Sequence, residues 1–388
     1  MPPDDAHHYL DLPLDHARPS LGSFRDFYIL SPDFRKDPAV VFFLTDGQME
    51  LVDTRPDMTF FDAQLPGLPY VLIGHRGHSP TLFPEVYEHG RVNLHRAAEL
   101  YGSWQRVEDI ERVRLDLLGR GLLPTDGRIM IYGASGAGVL AQQYLHRYGR
   151  HVSRALLSVT GAPDIAARSG VGYARSFSEL DPESAQALER VVAADKVDSE
   201  SLAYLLFQLG RAGMEGIATQ RRVIESLSKG SRALYWRLWF KPSLNLPLAR
   251  LLLGSPAADA AKVRMFELLG PDLRRRSGNQ RDEFNLMHRW VPRILTDYLS
   301  SDLQPVDLKL DRRKFDGEVL VVSALQDVVF SPAIGLQISK AYRDARFQGV
   351  RGSHRLTDDS ATHAAVRRAF FLHGLRSPEL KELLDAAH

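Results

Sequence analysis

Short apolar runs rich in β-branched and aromatic residues alternate with longer stretches of helical spacing through the first 163 positions. Phe24 to Leu30, Ala39 to Leu44, Tyr70 to Ile73, Arg128 to Tyr132 and Ala155 to Val159 are of strand length. Between them, Ser103 to Leu118 places Val107, Ile110, Val113 and Leu117 on one helical face with charges opposite, the pattern of a packed surface helix. After Pro163 the strand-like runs stop, and apolar residues recur at helical spacing in Ser201 to Leu209, Ala233 to Phe240 and Phe284 to Leu299. The strand pattern returns with Gly317 to Ser323 and Ala345 to Val350, followed by a helical Asp359 to His373. This predicts an α/β chain: a mostly parallel central sheet flanked by helices, built from residues 1–163 and 313–388, holding an inserted all-helical lid over 164–312.

The densest cluster of small residues is Arg128 to Gly138, RIMIYGASGAG, where an apolar strand runs directly into a helix. Gly133, Ser135, Gly136 and Ala137 form a small-x-Ser-x-small pattern. Such spacing suits a sharp strand-to-helix turn that holds a serine in strained backbone and lifts its hydroxyl above the sheet edge. The Gly136 N–H then lies at a helix N-terminus, where it can stabilise an oxyanion. Two other readings remain at this level. The serine can be a helix cap in a tight helix–strand contact. Gly136, Gly138 and Ala141 also fit a dinucleotide G-x-G-x-x-A, although the acidic ribose ligand expected about 20 residues on is absent.

A nucleophilic serine requires a base and an orienting acid, found in the order Ser, acid, His at later strand ends. Asp327 follows the strand Glu318 to Ser323, and His354 follows the next strand. Asp327 can equally be a turn former or cap for the helix near Pro332. Of the later histidines, His363 and His373 fall in a helix and His388 is terminal. Asp358 and Asp359 would have to reach back from the loop after the base.

Composition narrows the chemistry. Cysteine is absent, which excludes a thiol nucleophile, a disulfide framework and thiolate metal sites. The 49 basic and 48 acidic residues nearly cancel, so net charge suggests neither a nucleic-acid nor a membrane partner and suits a small uncharged or apolar substrate. No window approaches the roughly 18 apolar residues of a spanning helix. The first twenty residues lack a secretory pattern, so a cytoplasmic location is expected. His75 and His78 have no third ligand nearby, and neither a metal nor a cofactor is expected.

In VVFFLTDGQ, VLIGHRGHSP, VEDIERVRLDLL, RIMIYGASGAGVLAQQYLHRYGRHVSRALLSVTG, GEVLVVSALQD and GVRGSH, taken in order, the chain resembles the α/β-hydrolase superfamily, within it the proline iminopeptidase-like, lid-bearing branch. The resemblance implies a nucleophile Ser135, an acid Asp327 and a base His354. It also implies an oxyanion hole from the backbone of Gly136 and Gln48, with Gly47 as the substitute for Gln48. Where this branch has His-Gly-Gly-Pro-Gly, the chain has Thr45-Asp46-Gly47-Gln48-Met49, and Asp46 needs a partner such as Arg76. The elbow also lacks the aromatic residue that often follows the serine in these peptidases. By the same resemblance, Glu283 in the lid would hold a substrate amino group. Trp236 and Trp239, with Tyr235 and Phe240, are lid core or the apolar wall of a substrate cavity.

The expected activity is that of a serine hydrolase, working through an acyl-enzyme on a small-molecule ester, amide or aminoacyl substrate. The altered oxyanion loop keeps two alternatives open. One is a specialised transferase, thioesterase or lactone or carbon–carbon hydrolase; the other is a non-catalytic ligand-binding protein. A homodimer is also left open.

Overall fold

The computed structural model describes residues 7–36, 40–48, 51–53, 55–78, 83–171, 175–254, 256–276 and 284–387. An eight-stranded sheet runs through its centre. The strands are β1 (His7–Pro13), β2 (Ser23–Leu30), β3 (Val41–Leu44), β4 (Tyr70–Ile73), β5 (Ile129–Ala134), β6 (Val152–Ser158), β7 (Glu318–Ala324) and β8 (Asp344–Val350). Their order across the sheet is β1-β2-β4-β3-β5-β6-β7-β8. Only β2 opposes its neighbours; all pairs from β4 to β8 are parallel.

Every residue of β3 and β4 is buried, because helices cover both faces of the sheet and leave no solvent side for alternation. On one face the helices Ser103–Gly119 and Gly136–Tyr148 pack with the inserted helices; Val107, Ile110, Val113 and Leu117 are fully buried there. On the other, Met58–Gln64, Ser360–His373 and Pro378–Ala386 enclose a second core. The edge strand β1 was not anticipated. Its sequence, HHYLDLP, is polar and mostly half-buried, so it lacks the apolar run that marked the inner strands.

Between β6 and β7 the described residues hold no strand, only helices from Pro163–Ser169 to Thr296–Ser300 and a single 3-10 turn, Arg312–Lys314. Chain exit and return are stapled together. Arg312 donates both terminal nitrogens to the two Asp164 oxygens, at 2.8 Å each, and its Nε to Gln142 Oε1 at 2.9 Å. Among the described residues, no helix is long and apolar enough to cross a membrane.

Candidate active site

Parallel strands deliver their following loops to one edge of the sheet, and that edge collects the chemistry here. β3 leads to Asp46, β5 to Ser135, β6 to Thr160, β7 to Asp327 and β8 to His354.

Ser135 joins β5 to the Gly136–Tyr148 helix with φ 57° and ψ −131°, a strained region for a residue with a side chain. The turn closes only because its neighbours are glycines. A Cβ on Gly133 would stand 2.6 Å from the Ala137 carbonyl oxygen, and one on Gly138 would stand 2.5 Å from Thr160 Oγ1. Thr160 in turn donates its hydroxyl to the Ser135 carbonyl at 2.7 Å, bracing the turn from β6. The Ser135 side chain makes no capping bond to the helix. Its Oγ lies 3.0 Å from His354 Nε2 instead.

His354 Nδ1 lies 3.0 Å from both carboxylate oxygens of Asp327. One of those oxygens also accepts from the N–H groups of Val329, at 2.7 Å, and Phe330, at 3.3 Å. Asp327 therefore organises its own turn and orients the imidazole at once. With Nδ1 donating to the carboxylate, Nε2 is left to accept from the serine hydroxyl. Both residues are buried. Burial pushes the His354 pKa below its ordinary value, and Asp327 only partly offsets it. The ring is thus neutral at pH 7, the state a general base requires.

The oxyanion loop after β3 folds against the elbow. A Cβ on Gly136 would stand 2.0 Å from an Asp46 carboxylate oxygen, so only glycine lets the two segments touch. Gly47 has φ +80°, and a Cβ there would stand 2.2 Å from His75 Nε2. His78 Nε2 donates to the Gly47 carbonyl at 2.9 Å, and the His75 and His78 rings stack at 4.7 Å. The histidine pair thus shapes this loop; among the described residues no group of three or more ligating side chains is placed to hold a metal. Gln48 Nε2 donates to Asp46. Neither the Gln48 nor the Gly136 backbone N–H has a hydrogen-bond partner among the described residues.

The strand order and the strained serine between β5 and its helix identify the architecture. The chain has the α/β-hydrolase fold. No family model matches the sequence, and no curated protein matches it. Among solved structures, a bromoperoxidase from Bacillus anthracis is 12% identical, with 94% of this chain and 99% of that one covered at a TM-score of 0.46. A hydrolase from Pseudomonas aeruginosa is 17% identical over 94% and 98% of the two chains, with a TM-score of 0.43. An esterase from Exiguobacterium antarcticum is 15% identical over 89% and 93%, with a TM-score of 0.42. Likenesses this distant say nothing about substrate or reaction.

One site expectation needs correction. Arg76 does not pair with Asp46. Its guanidinium is fully buried and donates to both oxygens of Asp109 at 2.6 Å, because the Ser103–Gly119 helix presents that carboxylate beneath it. The partner of Asp46 is Arg264, on the inserted helix Pro256–Arg276, whose Nε donates to Asp46 Oδ1 at 2.7 Å. Arg264 also donates to the Gly136 carbonyl at 3.0 Å and to Glu267 at 2.9 Å. Trp236 is 42% exposed and stacks on Phe240, itself 70% exposed. Trp239 packs against Tyr204 and Tyr235, within the lid's aromatic cluster. Glu283 lies outside the described residues.

Arg264 left no local signal, since its partner is 218 positions away. Two more lid arginines, Arg175 and Arg211, also approach the Asp327 and His354 loops.

Proposed function

We propose that the protein is a serine hydrolase with Ser135 as nucleophile, His354 as general base and acid, and Asp327 as the orienting acid. The observation that carries this reading is the unbroken relay of 3.0 Å contacts from Ser135 Oγ through the His354 ring to Asp327, set on a strained elbow. A serine held merely for capping would bond its own helix.

In this scheme His354 Nε2 takes the Ser135 proton as Oγ attacks the substrate carbonyl. Asp327 stabilises the imidazolium, and the backbone N–H groups of Gly136 and Gln48 receive the oxyanion. The imidazolium returns its proton to the leaving group. A water molecule, deprotonated by the same nitrogen, then releases the acyl group.

Ester-type chemistry on a small substrate is favoured over peptide cleavage. The oxyanion loop carries the Asp46–Arg264 pair where the resembled peptidases have glycines.

A fluorophosphonate probe tests the reading. Labelling at Ser135, lost in Ser135→Ala and slowed by several orders of magnitude in His354→Ala, is the expected result. An unlabelled Ser135 in folded protein, or full ester turnover by Ser135→Ala, overturns it and favours a non-catalytic binding protein.

A further inference from the structure

We propose that Arg211 and Arg175 form an anion-binding subsite beside Ser135, so that the substrate carries a carboxylate at the end that enters the lid. The proposal rests on the serine-hydrolase reading for what becomes of that substrate, but not for the existence of the subsite.

Arg211 is the first residue after the lid helix Ser199–Gly210. That helix reaches the catalytic edge through Gly210, where a Cβ would stand 2.7 Å from Val328 Cγ1. The Arg211 carbonyl accepts from Ser353 Oγ at 2.9 Å and from the Arg355 N–H at 3.2 Å, which are the two residues flanking His354. Gly213 N–H donates to the same Ser353 hydroxyl at 2.7 Å. The backbone of Arg211 is therefore fixed against the turn that carries the base.

Its guanidinium is not so provided for. It lies 5.2 Å from the centre of the Phe207 ring, its Nε is wholly enclosed, and it makes no hydrogen bond or ion pair among the described residues. The enclosed Nε is left without an acceptor, a costly state unless a ligand supplies one, while the terminal nitrogens are not enclosed and take no acceptor from the described residues. The nearby charges do not resolve it. Arg355 repels it, and the Asp327 carboxylate is occupied by His354 and two backbone N–H groups. Burial, with Arg355 adding to it, lowers the Arg211 pKa to about 10.

Arg175 arrives from the other end of the lid. One terminal nitrogen donates to the Leu325 carbonyl at 2.7 Å, two residues before Asp327, while its buried Nε has no partner. Two cations from separate lid segments thus flank the Asp327 and His354 loops with unused donors. A planar carboxylate matches guanidinium donors. It also corrects an electrostatic fault, since the Arg211 charge opposes protonation of His354. A substrate anion on Arg211 screens that charge as the imidazolium forms, so the anion aids turnover as well as binding.

The test compares mono-p-nitrophenyl esters of dicarboxylic acids, from malonate to adipate, with their methyl-capped neutral counterparts. Wild-type protein is expected to prefer the best anionic ester by about tenfold or more in kcat/KM, part of it in kcat. In Arg211→Gln and Arg175→Gln that ratio falls towards one, and Arg211→Lys restores part of it. Calorimetric binding of the free dicarboxylates reads the subsite without turnover, and circular dichroism checks folding of each variant. Should a variant not fold, competition by a dicarboxylate, but not by the matching diol, against neutral-ester turnover in wild-type protein supports the subsite. Equal use of neutral and anionic esters together with fluorophosphonate labelling of Ser135 overturns the subsite and leaves the hydrolase standing. Dicarboxylate binding that weakens in Arg211→Gln without labelling of Ser135 supports the subsite and overturns the hydrolase.

Discussion

Arg264 and Asp46 meet at 2.7 Å across the seam between the inserted helices and the sheet, directly above Gly136. Both are largely buried, at side-chain exposures of 5% and 12%. The lid thereby holds the loop that carries the Gln48 N–H. Removing one partner of a buried pair strands the other charge, at a cost of about 3–5 kcal/mol. Arg264→Met is expected to lower the melting temperature sharply and to reduce kcat by about 10²-fold, as when an oxyanion donor is displaced. The double variant with Asp46→Asn should recover part of the stability but little of the rate. Chemical denaturation and steady-state kinetics on one ester measure both; a rate unchanged in Arg264→Met would separate the pair from the oxyanion loop.

The elbow stores strain at Ser135, whose φ of 57° and ψ of −131° suit glycine far better than serine. Such backbone costs about 1–3 kcal/mol. Ser135→Gly is expected to be inactive yet more stable than wild type by about 1 kcal/mol, once the added chain entropy of glycine in the unfolded state is subtracted. Ser135→Ala, equally inactive, keeps its Cβ and the strain. Denaturant midpoints of the three proteins check this, and identical midpoints for the glycine and alanine variants would count against stored strain.

Much of this fold is legible in sequence because β3, β4, β5 and β7 are buried on both faces and read as short apolar runs. The residues of the relay are legible for a related reason. Ser135 and Asp327 each follow such a run closely, and His354 follows the next strand, Asp344–Val350, so local pattern and chain order suffice to bring them to one edge. The polar edge strand His7–Pro13 offers no such run. Lid residues are harder still. Arg264 reaches a partner 218 positions away, and Arg76 finds Asp109 rather than Asp46 because helix packing, not sequence distance, decides which carboxylate lies beneath it. The nearly even balance of 49 basic and 48 acidic residues also hides local imbalance. It suits an uncharged substrate, whereas the subsite proposed at Arg211 and Arg175 takes an anion.

Arg312 and Asp164 close the neck where the lid leaves and rejoins the core, through two hydrogen bonds of 2.8 Å between side chains that are almost fully buried. Arg312→Met leaves Asp164 without its bidentate partner and is expected to destabilise the protein by about 3–5 kcal/mol. Arg312→Lys keeps the charge but not the paired geometry and should recover only part of this. If the neck also fixes the lid, limited proteolysis of Arg312→Met will cut within 164–312 before the core unfolds. Cleavage tracking global unfolding instead would show that the pair serves overall stability alone.

The pH profile follows from the state of His354. The base must be neutral to accept the Ser135 proton, and burial lowers its pKa below the ordinary 6.5 despite the opposing charge of Asp327. Protonation therefore inactivates the site only as pH falls through that depressed value. The profile of kcat/KM on a neutral ester should be flat at pH 7 and lose activity along an acid limb whose midpoint lies below 6.5. In Asp327→Asn the carboxylate that favours the imidazolium is gone, so the limb should move further towards acid while the plateau falls by about 10⁴-fold. An anionic ester seated on Arg211 works in the opposite direction. By offsetting a cation that opposes protonation of His354, it should raise the midpoint seen in kcat relative to a neutral ester, and that upward displacement should vanish in Arg211→Gln. Acid limbs at the same pH for both ester types in wild-type protein would show that Arg211 does not couple substrate charge to the base.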